Sequence, residues 1–237
     1  MKNFIPDKLK NCIKTCAITK PLYQARLKLI KEKRLEEKRT KIQANGVKTI
    51  NFIQNELEKS NLQFYFDMGT LLGIVREGRL LKHDLDIDVA VYVKSDEDKL
   101  MVRQMLIDAG CKHKLKHYIL RTGEVFIDSF ELNGIKFDIS YYRNEGDVDI
   151  SYLAYREGEL EDKNYRKMVV LRCDAIKETT KGKLIDEEVN IPKNAEEYLA
   201  TRYGENWRIP DKNWIYWLGP SAEKIDDIAV REILDNN

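Results

Sequence analysis

Phe66-Asp67-Met68-Gly69-Thr70-Leu71-Leu72-Gly73-Ile74-Val75-Arg76, continued by Leu81-Lys82-His83-Asp84-Leu85-Asp86-Ile87-Asp88-Val89-Ala90-Val91, decides how the rest of the chain reads. The pattern predicts a strand, a Gly-Thr turn, a short helix, a loop and a second strand. From Asp84 to Val91 the residue types alternate. An extended backbone therefore sets Asp84, Asp86 and Asp88 on one edge and Leu85, Ile87, Val89 and Val91 on the other. Carboxylates at i and i+2 on one face repel each other, and a divalent cation between them removes the conflict. Hard oxygen ligands suit Mg²⁺ or Mn²⁺; Mg²⁺ takes one or two carboxylates and completes its shell with water and substrate phosphate. The Gly69-Thr70 step adds an anion site, because N–H groups at a helix start lack intrahelical partners. A phosphate cradle beside a cation-binding strand predicts phosphoryl chemistry.

In this reading Gly69 and Thr70 bind the donor phosphates, and Asp84 joins the substrate-binding residues. Arg76, about two turns further along the helix, either assists there or forms a structural salt bridge. His83 reads as a hydrogen-bonded structural residue.

The 237 residues suffice for one or two domains with a sizeable core. At 43% hydrophobic and 34% charged, the composition is that of an ordinary globular protein. No run approaches the roughly eighteen apolar residues of a membrane span, and the first residues hold no signal-peptide core. Cys12, Cys16, Cys111 and Cys173 lack paired zinc spacing and are expected to be reduced packing residues of a cytoplasmic protein. The net charge of +1 conceals a polarity. Residues 1–48 hold 14 of the 41 Lys and Arg but only 4 of the 40 Asp and Glu, so this stretch carries +10 and the rest −9. One end of the chain is expected to face an anionic partner.

Residues 1–45 read as a basic helical arm interrupted at Pro21, and Asn45-Gly46 as a break. The basic, amphipathic character of residues 1–44 fits an anionic membrane surface or a solvated helix packed by one narrow stripe. No nucleic-acid-binding motif accompanies the charge. Residues 46–145 form the predicted catalytic core. Within it, Ser95-Asp96-Glu97-Asp98 opens a helix with Met101, Met105 and Leu106 on its apolar face. Thr122-Gly123 and Asn133-Gly134 close hairpins. Residues 146–237 continue the same unit: a strand over Met168–Cys173, a turn at Thr179-Thr180-Lys181-Gly182, and a helix from Asn194 to Gly204. An aromatic segment with Trp207, Trp214, Tyr216 and Trp217 follows. It caps the core or offers a stacking surface, with Trp207 as its substrate-binding candidate.

Gly69-Thr70-Leu71-Leu72-Gly73, Arg76, Gly78 and Asp84-Leu85-Asp86-Ile87-Asp88 together resemble the signature of the LicD/fukutin-related phosphotransferases, and the segment around Tyr203-Gly204-Glu205-Asn206-Trp207 is similar to that family's close. Where the family often carries Pro-Trp before an Asp-Asp-Asp run, Lys82-His83 and Leu85 stand here. The resemblance implies an α/β fold of α+β type: a nucleotidyltransferase-like mixed sheet flanked by helices. It also implies a third acid on a later strand. Asp138 in Ile135-Lys136-Phe137-Asp138-Ile139 matches, and an acid in so apolar a strand needs compensation; a bond to nearby backbone is the alternative. Asp86 and Asp88 would hold one or two ions, Asp138 would share the second, and Asp138 would take the acceptor's hydroxyl proton.

The activity so implied is transfer of a phosphorylated alcohol (choline, ribitol or glycerol phosphate) from a CDP-activated donor to a glycan or lipid-linked glycan at the inner face of the plasma membrane. A nucleotidyltransferase acting on a small molecule or RNA, and a catalytically silent membrane- or glycan-assembly module, are the rival readings.

Overall fold

The computed structural model describes residues 19–234. Among these, four α-helices flank a mixed sheet of eight strands. Helix α1 (Thr19–Leu57) leads through a 3₁₀ turn into β1 (Phe64–Phe66), α2 (Met68–Glu77), β2 (Ile87–Tyr92) and α3 (Asp96–Asp108). Strands β3 (Lys112–Ile119), β4 (Val125–Leu132), β5 (Ile135–Glu145), β6 (Val148–Tyr155) and β7 (Tyr165–Asp174) follow. A separate hairpin of β8 (Thr179–Leu184) and β9 (Glu187–Pro192), then α4 (Ala195–Tyr203) and β10 (Ala222–Ile233), complete the fold.

Strand order is β1-β2-β5-β4-β3-β10-β7-β6, and β6 also pairs with the end of β5. Six strands therefore close into a ring of paired neighbours, leaving β1 and β2 as an extension. β10 inserts between β3 and β7, so residues 146–237 share one sheet with residues 46–145. β2 and β5 are the parallel pair, with Asp88 opposite Asp138. The alternation along β2 does as expected: Ile87, Val89 and Val91 are buried on one face, and Asp88 stands on the other. Their apolar side packs with Phe66, Phe137 and Ile139 and with Ile50, Ile53 and Leu57 of α1 in one core.

Several local expectations are corrected. No break occurs at Asn45-Gly46, because α1 runs straight through it. A Cβ on Gly46 would stand 2.4 Å from Leu80 Cδ1, so the glycine serves close packing. Its helix buries one stripe from Ile42 onward (Ile42, Ile50, Ile53 and Leu57), whereas Leu22, Leu27, Leu29 and Ile30 are exposed. Pro21 likewise lies inside α1. The strand carrying the acids begins at Ile87, not Asp84. Asp84 N–H donates to Leu81 C=O at 3.1 Å and Leu81 N–H donates to Asp84 Oδ2 at 3.2 Å, closing a loop before the strand. Thr179–Gly182 is strand rather than turn: Gly182 lies under Ile191, whose Cδ1 would be 2.6 Å from a Cβ there. The chain reverses instead at Ile185, with φ of 59°. Ser95 caps α3 in a reciprocal box with Asp98, but the buried stripe is Lys99, Val102 and Leu106, and Met101 is exposed. Cys111 and Cys173 are buried and free; Cys12 and Cys16 lie outside the described residues.

Gly73 is the tightest point of α2, since a Cβ would meet Arg79 C=O at 2.6 Å and Leu81 N at 3.1 Å. Both are backbone atoms and cannot rotate away. Gly73→Ala should therefore cost about 1–3 kcal/mol in denaturant unfolding. Gly46→Ala should cost less, because a Leu80 methyl can move and alanine favours the helix by about 1 kcal/mol.

Candidate active site

The start of α2 is built around Asp67. Its buried carboxylate accepts from Met68 N–H at 2.7 Å, Tyr198 Oη–H at 2.9 Å and Tyr142 Oη–H at 2.7 Å. Burial first, with Asp67 next, holds both phenols well above their ordinary range, so they stay neutral donors. Met68 follows with φ of 48°, a left-handed conformation that orients the first turn. The buried Arg202 guanidinium sits against Met68 Sδ.

That first turn holds Asp88. Asp67 N–H donates to Asp88 C=O at 3.0 Å, and Asp88 N–H donates to Thr70 Oγ1 at 3.0 Å. Thr70 is fully buried, so its hydroxyl positions the strand and does not line the cavity. Gly69 does line it. A Cβ there would come within 3.3 Å of Asp84 Oδ1, so the bare backbone leaves room beside that carboxylate.

A cavity of about 740 Å³ opens over this floor. Met68, Gly69 and Arg76 line it from α2; His83, Asp84, Asp86 and Asp88 from the loop and β2; Asp138 and Ser140 from β5. Tyr203, Trp207, Trp214 and Tyr216 form an aromatic wall, with Pro210 beside them. All the sequence-derived site residues except Thr70 thus meet at one cavity. Arg76 holds the wall, with Nη1 donating to Trp207 C=O at 3.4 Å and Nη2 paired with Glu77 at 3.2 Å. Trp207 is buried, with the Arg208 guanidinium 4.2 Å from its ring centroid.

Lys136, which the reading of the sequence passed over, ties the acids together. Its Nζ lies 2.6 Å from Asp138 Oδ2 and 3.1 Å from Asp86 Oδ2. A lysine two residues before a strand aspartate shares its face, so the alternation in Ile135–Ile139 held the signal. Burial lowers the Lys136 pKa, but Asp138 and Asp86 more than offset it and the group is held above its usual range. Asp88 is pushed well above the carboxylate range, first by burial and then by Asp86 and Asp138. Asp84 is pushed up to about 7 by burial, against the Leu81 N–H bond, with Asp86 adding to the rise. His117, also not anticipated, lines the far side of the cavity; burial and then Arg231 push it down to about 4, and its Nδ1 is buried without a partner among the described residues.

Among the described residues no three His, Cys, Asp or Glu side chains stand ready-made as a metal-ion group. The chemistry of Asp86, Asp88 and Asp138 nevertheless fits a hard divalent cation. All three are carboxylates on one cavity, an ammonium already satisfies two of them, and Asp138 Oδ1 is buried with no hydrogen-bond partner among the described residues.

The family model LicD/FKTN/FKRP, nucleotidyltransferase domain, matches residues 61–194. That span contains β1, α2 and the cavity carboxylates Asp84, Asp86, Asp88 and Asp138. The chain is also 27% identical over 169 residues to "Ribitol-5-phosphate transferase FKTN" of Macaca fascicularis and 26% identical over 169 residues to that of Homo sapiens. Each match covers 69% of this chain and 33% of the relative, so the chain spans about a third of the length of the curated relatives it matches.

Two outcomes follow from this geometry. Thr70→Val should cost about 1–3 kcal/mol by leaving the Asp88 N–H buried and unpaired, while Thr70→Ser, which keeps the oxygen, should retain most of it; denaturant unfolding separates them. Asp84 holds its proton more tightly folded than unfolded, so its contribution to stability is present in acid and lost as pH rises towards about 7. Without divalent cations, Asp84→Asn should therefore gain stability relative to wild type between the ordinary carboxylate pKa and about 7, and hold the gain above it. A difference independent of pH would contradict the assignment.

Proposed function

This chain belongs to the LicD/FKTN/FKRP nucleotidyltransferase-domain family, and on that premise we propose that it transfers a phosphorylated alcohol from a CDP-activated donor to a hydroxyl of a glycan or lipid-linked glycan. The observation that carries this reading is the convergence of Asp86, Asp88 and Asp138 with the start of α2 on one cavity. The name of the relatives supports ribitol phosphate as the first alcohol to test.

Phosphoryl transfer asks a protein mainly for alignment and charge neutralisation. Asp86, Asp88 and Asp138 would hold the divalent cation, which when bound supplies positive charge against the donor's phosphates. At the α2 start the Met68 N–H is taken by Asp67 Oδ1, and the backbone N–H of Gly69 is presented to those phosphates. Asp138 receives the acceptor's hydroxyl proton. Trp207, Trp214 and Tyr203 exclude water from one side and offer faces on which a base can stack. The loop that carries Asp84 shapes the donor site beside Gly69.

The exposed first half of α1 gives this enzyme a second attachment. No helix among the described residues is long and apolar enough to cross a membrane. Arg26, Lys28, Lys31, Lys33 and Arg34, interleaved with exposed Leu22, Leu27 and Leu29, instead suit the anionic inner surface of a plasma membrane, worth about 1 kcal/mol per basic residue.

Incubation with a panel of CDP-alcohols and glycan acceptors, read by mass spectrometry, tests the transfer. The expected product is an acceptor heavier by one alcohol phosphate; an acceptor bearing a nucleotide would establish the nucleotidyltransferase instead. Asp86→Asn and Asp88→Asn should each leave below about one per cent of turnover, the loss of roughly 3 kcal/mol of transition-state stabilisation. Deletion of residues 1–44 removes part of a helix packed on the core through Ile42, so the membrane reading is better tested with charge reversal at Lys28, Lys31 and Lys33. That variant should lose salt-sensitive binding to anionic liposomes and keep turnover on a short soluble acceptor. Retained liposome binding would end the membrane reading.

A further inference from the structure

We propose that Lys136 is a built-in second cation of the carboxylate site, so that the site takes a single divalent ion. This rests on the reading of Asp86, Asp88 and Asp138 as the cation-binding residues.

The ammonium bridges one oxygen, Oδ2, of Asp86 and one oxygen, Oδ2, of Asp138. A bridge between a loop carboxylate and a strand carboxylate is the service a second metal ion performs in a two-ion site. Lys136 performs it from the backbone of β5 itself, two residues from Asp138 and on the same face. It does so without lining the cavity that the three carboxylates line. The bridge leaves Asp88 and the second oxygens of Asp86 and Asp138 unclaimed by the ammonium. Asp138 Oδ1 has no hydrogen-bond partner among the described residues to compete for it.

Charge counting agrees. A bound cation takes its carboxylates in the ionised form; three of them and one ammonium then leave a double negative charge, which one divalent ion balances. Without the ammonium, three negative charges face one another in a partly buried site, and one divalent ion leaves a negative remainder that draws a second. Lysine suits the task because its charge is a compact point on a flexible stem, whereas a guanidinium would demand a planar, two-pronged approach. Asp86 also gains its place from this contact. It lies before β2 begins, outside the ladder that fixes Asp88 and Asp138, and Lys136 is what fastens it to β5.

Counting bound Mn²⁺ per chain by electron paramagnetic resonance tests this in the full-length protein. Wild type should saturate with one ion, Lys136→Met should bind a second at the same protein concentration, and Lys136→Arg, which keeps the charge, should return to one. Asp88→Asn should weaken the first ion by at least about tenfold, which assigns it to this site. Two ions on wild type, or one on Lys136→Met, would overturn the role given to Lys136. No ion on wild type, or binding unchanged in Asp88→Asn, would overturn the cation reading beneath it. If Lys136→Met does not fold, Lys136→Gln serves, since its amide can still hydrogen-bond both carboxylates but carries no charge; it too should bind the second ion.

Discussion

The backbone of Asp88 is gripped from the side of α2 at both of its polar groups: its C=O by Asp67 N–H and its N–H by the Thr70 hydroxyl. On its other edge, β2 runs parallel to β5 with Asp88 opposite Asp138. These contacts fix the distance between a helix start and a pair of carboxylates. The rest of the molecule maintains that spacing. Tyr142 of β5 and Tyr198 of α4 reach across to Asp67, so the sheet, the last helix and the α2 cap share one buried carboxylate. A group charged and buried in this way is costly to leave unpaired. Moving any of these elements would strip donors from Asp67, and the site is rigid for that reason.

Placing acids side by side has an electrostatic consequence that the fold meets with Lys136. Asp88 and Asp84 are both driven away from ionisation by burial first and by Asp86 next. Lys136 sets its ammonium against both Asp86 and Asp138. The site is thus poised between repulsion and neutralisation, the condition in which an arriving cation has most to gain. Its remaining wall is aromatic and apolar, which strengthens electrostatic interactions inside it by excluding water.

Much of this was legible in the sequence because it is local. The alternation Ile87-Asp88-Val89 gives a strand with one charged position and a buried face. Asn133 and Gly134, both at positive φ, give the hairpin that brings Asp138 into register, and Asn194 and Gly204 bound α4. What was not legible depends on partners distant in the chain. Gly46 looks like a helix break until Leu80 is seen against it. Thr70 reads as part of a phosphate cradle, and no local pattern shows that its buried hydroxyl also holds Asp88 N–H. Asp84 continues the alternation in type but not in conformation, because its carboxylate closes a loop onto Leu81. The donors to Asp67 come from residues 75 and 131 positions away, and no local pattern announces them.

In the proposed function, a strand register and a helix start together make one cation-and-phosphate site. Anomalous diffraction from crystals soaked with Mn²⁺ and CDP tests it most directly. The expected result is a manganese peak at about 2.1–2.2 Å from oxygens of Asp86, Asp88 and Asp138, with the diphosphate against the backbone of Gly69. Manganese bound elsewhere, or a diphosphate seated away from the start of α2, would contradict it.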